Sequence, residues 1–242
     1  MNTKDFNDSL SPLVKGVLVD FDTFKKYNDV DRVPVNSDEV AASIEKVTER
    51  GDSMEFLFKT KKRIIAYYEG RYQKFDVNGR MRSDQQIRKE TNKGHFVLSI
   101  EGFRLTLERL IAIGSDILNN TMPISYEGWE ANVKDGSGST TGMNKYNTTA
   151  NFSPANLEWC LGSDNVRHRW ALQRIWDKTG CLYELSALDM DTIQMAALKD
   201  GEALRKYCDS KLRLVSTREG YNLQPWFFQS DDFGYGDCIF GS

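Results

Sequence analysis

The sequence predicts an α+β protein in which small β-hairpin modules precede a strand-and-helix core, with a further N-terminal region and a helical C-terminal region. Three observations lead to this prediction. Aromatic and branched residues concentrate in "MEFLFKTKKRIIAYY" and "HFVLSIEGFRLTL", which is typical of strands. The segments "ERLIAIGSDIL" and "NVRHRWALQRIWDK" are typical of helices. A composition with 40% hydrophobic and 28% charged residues is that of an ordinary globular chain.

The first predicted element is a helix that begins at Ser37 and ends at Gly51. Ser37 is a suitable N-cap for "DEVAASIEKVTER", in which acidic residues occupy the first turn. Val40, Ile44 and Val47 then follow at helical spacing.

Strand pairs are predicted after this helix. The segment "MEFLFKTKKRIIAYY" predicts one or two strands, and Asn78-Gly79 marks a tight turn within "EGRYQKFDVNGRMRS". A second hairpin turns at Glu101-Gly102. The helix "ERLIAIGSDIL" follows from Glu108.

The second half of the chain predicts a loop, a short strand and then helices. Residues Gly128 to Asn151 contain no long apolar run and predict a loop, and long loops in compact domains are often functional. "SPANLEW" predicts a turn and a short strand, and Ser163-Asp164 can cap a helix that runs to Gly180. Beyond it we expect a strand in "LYELSAL", helical structure with a break near residue 200, and an extended "GYNLQPWFF". Three tryptophans are expected to fill the core around the helix, namely Trp159, Trp170 and Trp176.

The net charge of -3 conceals a gradient along the chain. Residues 1–58 contain 7 Lys/Arg and 12 Asp/Glu, whereas residues 59–110 contain 13 and 6. Residues 111–178 contain 6 and 7, and residues 179–242 contain 6 and 10. Because a phosphate backbone responds to the local potential, a basic module between acidic ends is compatible with DNA binding. A solvated charged face is the alternative interpretation of the same block.

The cysteines and the N-terminus indicate the cellular setting. The four cysteines form no C-x-x-C pair and the chain has two histidines, His95 and His168, so free buried thiols are expected rather than a zinc cluster. "MNTKDFNDSLSPLVKG" carries acidic residues where a signal peptide is basic, and its apolar run is too short for a membrane span. We therefore expect a soluble, cytoplasmic protein with no membrane partner.

Three motifs carry a resemblance to a known family. The run "NVKDG", from Asn132 to Gly136, followed by "NFSPANLEWCLGSDNVRH", resembles the HNH motif of phage and intron homing endonucleases. The upstream "YYEGRYQKFDVNGRMRS" and "GHFVLSIEGFRLTLERLIAI" are similar to the DNA-binding module that often precedes HNH in that family. The resemblance spans residues 67 to about 170 and implies a ββα-metal core of the His-Me finger type. It also implies a phage or mobile-element source.

The resemblance implies a catalytic arrangement in which one divalent cation stabilises the leaving oxygen and a histidine activates water. It places Asn132 at the metal-ligand Asp and Val133 at the general-base His. It places Asn156 at the structural Asn that braces the loop, Asn165 at a helix metal ligand and His168 at the closing His. The implied metal ligands are therefore Asn132, Asn165 and His168, and the implied cofactor of an active enzyme is Mg²⁺ or Mn²⁺.

The sequence departs from the family pattern at the residues that perform the chemistry. Val133 has no lone pair with which to accept a proton, and Asn132 is a neutral ligand, weaker than a carboxylate for a hard cation. Asp135 and His168 are the alternative bases. The interval from Asp135 to Asn156 is also longer than the family's usual spacing. These departures imply that cleavage has been lost.

The basic block and the helix after "NLEW" supply the predicted DNA contacts. These are Lys61, Lys62, Arg63, Arg71, Arg80, Arg82, Arg88, Arg167 and Arg169. We divide the chain into an acidic N-terminal region (1–58), a basic hairpin module (59–115), a degenerate HNH-like core (116–180) and a helical C-terminal region with an aromatic tail (181–242).

The sequence leads to three functional hypotheses. The first is a DNA-binding protein derived from an HNH homing endonuclease, without nuclease activity, that regulates or competes for double-stranded DNA in the cytoplasm of a bacterial host. The second is a protein-interaction module that binds a host or phage protein through the acidic N- and C-terminal regions. The third is an active metal-dependent nicking endonuclease with a rearranged base.

Overall fold

The computed structural model describes residues 37–86, 97–100, 102–137 and 150–217. Within these ranges the chain forms four antiparallel sheets and five α-helices, which confirms the predicted α+β class. The predictions for Arg88, His95, Cys238 and the aromatic tail lie outside the described residues.

The largest sheet has five antiparallel strands that are adjacent in the order of the chain. They are β1 (Ile44–Arg50), β2 (Ser53–Phe58), β3 (Arg63–Tyr67), β4 (Arg71–Phe75) and β5 (Met81–Gln86). Side chains alternate between two faces, with Phe56 of β2 and Ala66 of β3 fully buried on one of them. The strands predicted between residues 54 and 68 are thus confirmed. The boundary that charge suggested at residue 58 falls between β2 and β3, inside this sheet.

The helix predicted from Ser37 to Gly51 is wrong in its second half. Helix α1 covers only Ser37–Ser43, and the chain continues directly into β1. Residues 44–50 satisfy their backbone groups against β2, with Val47 opposite Phe56 and buried in the core. The β-branched residues in this segment favour a strand once a partner strand is available, and their helical spacing does not reveal that partner.

The turn predicted at Asn78-Gly79 joins β4 to β5. Gly79 has a φ of +74°, which glycine adopts without the steric cost of a Cβ. Asp76 Oδ1 accepts hydrogen bonds from the backbone N–H groups of Asn78 and Arg80, each at 2.9 Å. The bond from Arg80 lowers the pKa of Asp76 below its ordinary value, so the carboxylate that closes the turn stays ionised at neutral pH.

The buried face of the large sheet is covered by a hairpin and a helix. The hairpin consists of β6 (Val97–Ile100) and β7 (Phe103–Thr106), and the helix α2 spans Leu107–Asn119. Both elements were predicted. Gly114 of α2 lies so close to β2 that a Cβ at this position would overlap the side chains of Met54 and Phe56. Glycine is therefore needed here for a close helix–sheet approach.

The next unit is an antiparallel strand pair followed immediately by a long helix. Strand β8 (Trp129–Val133) pairs with β9 (Leu157–Leu161), and helix α3 spans Gly162–Thr179. The prediction of a loop from Gly128 was wrong for β8. Its strand character depends on pairing with β9, which lies more than 20 residues later and cannot be read from the local apolar pattern.

Helix α3 begins and ends close to the predicted positions. Its N-cap is Leu161, so Ser163 and Asp164 lie in the first turn rather than at the cap. Gly180 ends the helix with a φ of +65°, as glycine commonly does after a helical C-terminus.

A second core lies between α3 and the C-terminal elements. These elements are β10 (Cys181–Glu184), α4 (Met190–Met195), α5 (Gly201–Lys211) and β11 (Arg213–Thr217). Trp176 is buried in this core and Trp170 is partly buried against it, in agreement with the prediction. Trp159 is partly buried against the first core and not against the core beside α3, so the prediction is wrong for this residue. Three of the cysteines are free and buried, as predicted: Cys160, Cys181 and Cys208.

The described segments contain helices of up to 18 residues. None of them combines the length and the apolar character that crossing a bilayer requires.

Candidate DNA interface and hairpin–helix site

A layer of polar side chains lies between the β8–β9 pair and helix α3. Glu130 stands opposite Cys160 and Asn132 opposite Glu158, so cross-strand pairing places all four on one face. Asn132 Nδ2 donates a hydrogen bond to Glu158 Oε1 at 2.8 Å. From α3, Asn165 Nδ2 donates to Glu130 Oε2 at 2.7 Å. Each of the two asparagines that the resemblance implied as metal ligands is thus hydrogen-bonded to a carboxylate.

Glu158 connects this layer to the second core. Its Oε2 accepts a hydrogen bond from Ser186 Oγ at 2.6 Å, and its Oε1 accepts one from the backbone N–H of Ala187 at 2.6 Å. Together with the bond from Asn132, these donors satisfy both oxygens of a carboxylate that lies largely inside the protein. The side chain therefore serves as an anchor between two elements.

The layer also contains a buried acid and a buried thiol. Asp164 is fully buried, which raises its pKa, while Arg167 Nη2 lies 3.2 Å from its Oδ1 and opposes that effect. Burial raises the pKa of the Cys160 thiol well above its ordinary value, and the nearby charges of Glu130 and Glu158 raise it further. Cys160 is consequently a protonated packing residue and not a nucleophile.

Asn156 braces the loop that follows β8, as the resemblance implied for this position. Its Nδ2 donates to the carbonyl of Asn151 at 2.6 Å, and its Oδ1 accepts from the backbone N–H of Asp135 at 3.3 Å. Asp135 is buried, and its Oδ1 accepts from the N–H of Ser137 at 2.8 Å while its Oδ2 accepts from Asn151 Nδ2 at 3.3 Å. Both oxygens of this alternative base are therefore used in holding the loop.

His168, the other alternative base, joins the loop after β8 to the second core. Its Nε2 lies 3.1 Å from the carbonyl of Lys134 and 2.7 Å from that of Leu185. Because both partners are acceptors, we assign the proton to Nε2, which then donates to the two carbonyls. Burial lowers the pKa of His168, so the imidazole is neutral at pH 7. Its Nε2 has no lone pair left for a metal ion or a proton.

Val133, at the position of the general-base His, packs against the first hydrophobic core. Among the described residues no three His, Cys, Asp or Glu side chains are arranged so that they could hold a metal ion. The two amides offered by Asn132 and Asn165 are neutral and already engaged with carboxylates. The donor set therefore does not fit the hydrolytic metal centre that the family resemblance implies.

Two basic turns converge at one end of the large sheet. The β2–β3 and β4–β5 turns lie at the same end because β2 to β5 are antiparallel neighbours. Lys61 Nζ lies 2.6 Å from Glu45 Oε2, and Arg82 Nη2 lies 2.8 Å from Asp76 Oδ2. Counted over the described residues of the two turns together with Glu45, five cations and two carboxylates give this basic end a net charge of +3. Its exposed cationic side chains are Lys59, Lys61, Lys62, Arg80 and Arg82.

Two predicted DNA-binding arginines lie on the face of the sheet that is turned away from the core. Arg63 Nη1 donates to Glu55 Oε1 at 3.0 Å, and its guanidinium lies over the Phe75 ring. Arg71, towards the opposite end of the sheet, lies over the Tyr67 ring. These arginines are not part of the basic end.

The predicted DNA-binding arginines of α3 differ from each other. Arg167 has a side chain only 16% exposed and neutralises Asp164, so it is placed to stabilise the fold. Arg169 is exposed to solvent. Surrounding protein atoms lower its pKa, and the nearby charge of Glu130 opposes this shift. Of the two, Arg169 is accessible to a phosphate.

Sequence reasoning missed the carboxylates that hold the hairpin–helix unit together. The pairing of β8 with β9 brings Glu130 and Glu158 close to Cys160, and Asp164 approaches it from the first turn of α3. The local signal was the alternation "EAN" and "LEWC", in which every second residue is polar or small.

In comparisons with protein-family models, with curated proteins and with solved structures, no match to this chain is found.

Proposed function

We propose that this protein binds double-stranded DNA through the basic end of its large sheet, and that it does so on an HNH-like scaffold that no longer cleaves. The convergence of two basic turns carries the proposal. Lysine and arginine side chains that are exposed at adjacent turns create a local positive potential, even though the whole chain has a net charge of -3.

The HNH-like part of the proposal is supported by the order of the elements along the chain and by the hydrogen bonds that hold the Asp135 loop. Strands β8 and β9 and helix α3 follow one another in the sequence that a ββα unit requires. Asn156 holds the Asp135 loop through two side-chain hydrogen bonds, the role that the resemblance implied. The β3–β4 turn contacts this unit, since the carbonyl of Tyr68 accepts from the N–H of Phe152 at 2.8 Å.

The proposed loss of cleavage is supported by the side chains at the site. Val133 is apolar, both oxygens of Asp135 accept hydrogen bonds, and Nε2 of His168 donates to two carbonyls. Asp135 and His168 are also buried, with 4% and 2% of their surfaces exposed, so none of the three groups is placed to take a proton from a solvent water. General-base catalysis needs a free acceptor within hydrogen-bond reach of the water.

A mobility-shift titration on duplex DNA, repeated at several salt concentrations, tests the binding. A triple variant, Lys59→Gln, Lys62→Gln and Arg80→Gln, removes three exposed cations from the basic end. We expect weaker binding to all duplex sequences, and a reduction of up to about 2.7 in the slope of log K against log salt, because each phosphate contact contributes about 0.9.

A matched control changes the net charge equally on a different surface. Arg205→Gln, Lys206→Gln and Lys211→Gln remove three exposed cations from α5. Equal losses in the two triple variants would mean that only the overall charge matters and would contradict the proposed interface. A DNA affinity that does not change with salt concentration would favour the protein-interaction hypothesis.

A nicking assay on supercoiled plasmid tests the loss of cleavage on the same samples. We expect no nicked product in Mg²⁺ or in Mn²⁺ under conditions in which the plasmid is saturated with protein. Metal-dependent nicking that disappears in Asn165→Ala would show that the site is active and that the proposal is wrong on this point.

A further inference from the structure

The large sheet has an outer face that no described helix or strand covers extensively. The buried face packs against α2 and the β6–β7 hairpin, and the side chains that alternate with the buried ones point the other way. The centre of this outer face is partly exposed. Its aromatic and aliphatic members are Leu57, Ile65, Tyr67 and Phe75.

Two arginine–aromatic pairs dominate the outer face. The Arg63 guanidinium carbon lies 4.2 Å from the centre of the Phe75 ring, and that of Arg71 lies 3.9 Å from the centre of the Tyr67 ring. Both arginine side chains are about one-third exposed, at 34% and 32%. Each pair therefore presents a guanidinium that is held against a ring and still reaches solvent.

The spacing of the two pairs is fixed by the strands. Arg63 and Tyr67 are four residues apart on β3, as Arg71 and Phe75 are on β4, which corresponds to about 13 Å at 3.3 Å per residue. Between them, Tyr67 Oη donates to Gln73 Oε1 at 3.1 Å. Two cationic platforms are thus separated by a row that contains Ile65 and Gln73.

The charge of the outer face suits a polyanion. Its carboxylates among the described residues are Glu55, which is 13% exposed and paired with Arg50 and Arg63, and the two partners of Arg71. These partners are Glu69 at 3.5 Å and Asp84 at 3.6 Å. The four described cations of this face exceed its three acids and leave a net charge of +1; they are Lys46, Arg50, Arg63 and Arg71. The face is continuous with the basic end, which adds +3.

We propose that the outer face binds single-stranded DNA, with one unpaired base stacked on the Arg63–Phe75 pair and another on the Arg71–Tyr67 pair. This inference rests on the proposed DNA-binding function. Bases stack readily on guanidinium planes and aromatic rings, and such stacking is tolerant of sequence. The phosphates of the same strand are attracted by the lysines of the basic end.

A duplex does not suit this face. Its bases are stacked on each other at about 3.4 Å per step and expose only their edges. Platforms about 13 Å apart on an open sheet can be reached only by bases that have left the stack. The outer face therefore complements the duplex-binding basic end by accepting a strand that has been opened.

Fluorescence anisotropy with a labelled oligothymidylate, and with a duplex of the same length, tests the inference on the full chain. The variant Arg63→Lys with Arg71→Lys keeps the net charge and removes both guanidinium planes. We expect single-strand affinity to fall at least about fivefold for each stacked base lost, and duplex affinity to change less than about twofold.

A second variant and a control separate stacking from folding. Tyr67→Leu with Phe75→Leu removes the rings that hold the guanidinium groups, and it should weaken single-strand binding as the lysine variant does. Arg50→Lys is the matched control, because Arg50 lies on the same face and pairs with Glu55 without a ring. We expect it to bind like the unmodified protein, and thermal melts verify that each variant is folded.

The outcomes distinguish this inference from the proposed function. Unchanged affinity for single-stranded DNA in both double variants overturns the inference. This result is expected if the outer face binds a protein instead. Tighter binding of an RNA of the same sequence overturns the choice of DNA. Duplex binding that depends on the basic end, with no single-strand binding, overturns the inference and leaves the proposed function intact.

Discussion

His168 makes a specific prediction about stability in acid. The side chain is buried, with 2% of its surface exposed, and its Nε2–H bridges the carbonyls of Lys134 and Leu185. Burial lowers the pKa of His168 in the folded protein below the value of about 6.5 that it has when unfolded. Below pH 6.5 the unfolded chain therefore binds a proton that the folded protein does not.

The sign and the size of the effect follow from this difference. Since the unfolded state binds more protons, the free energy of unfolding falls as the pH is lowered from about 6.5 towards the folded pKa. The limiting slope is about 1.4 kcal/mol per pH unit. For a chain of this size 1 kcal/mol corresponds to about 2–4 °C, so Tm should fall by roughly 3–5 °C per pH unit from this group.

Thermal melts between pH 7.5 and pH 5 measure the slope, with His168→Gln as the comparison. Glutamine retains an N–H donor for the carbonyls and does not titrate, so the variant should be less stable at pH 7 but lose less stability in acid. Carboxylates contribute to both proteins and cancel in the difference. Equal acid slopes in the two proteins would refute the assignment of His168 as a buried neutral bridge.

Three further variants test the packing of α2 against the large sheet and of the β8–β9 pair against the first core. Gly114→Ala should destabilise by about 1–3 kcal/mol in urea unfolding because its methyl group overlaps β2, and a neutral or stabilising result would contradict the close approach. Trp159 Nε1 donates a hydrogen bond to Asp116 Oδ2 at 2.8 Å, and Asp116→Ala removes this acceptor. We expect the free energy of unfolding to fall by about 1–3 kcal/mol and the tryptophan fluorescence emission to shift. Unchanged emission would argue against this hydrogen bond. Asn132→Asp with Val133→His restores the residues of the HNH motif at these two positions. We expect this variant to lose about 1–3 kcal/mol of stability and to show no nicking, because residue 133 faces the apolar core. Metal-dependent nicking by this variant would show that the histidine side chain can reach the site.

Local signals were sufficient for much of the fold. The strands within residues 54–67, the Asn78-Gly79 turn and the termination of α3 at Gly180 were all predicted, because each has a strong signal in the local sequence. Strand Ile44–Arg50 was not, since its partner β2 decides between helix and strand. The sequence also shows that residue 133 is apolar, and that Asn156 stands at the position of the loop-bracing asparagine in the motif that the chain resembles.

The sequence by itself determined which residue types are present at the candidate site, including the valine that cannot accept a proton. Only the tertiary structure decided what surrounds them. His168 meets the carbonyls of residues 134 and 185, and Glu158 meets Ser186, because chain segments distant in sequence are brought together by packing. The basic block became a defined surface for the same reason, since antiparallel pairing brings two turns to one end of the sheet. Propensity acts over a few residues, whereas these contacts depend on long-range pairing that no local pattern encodes.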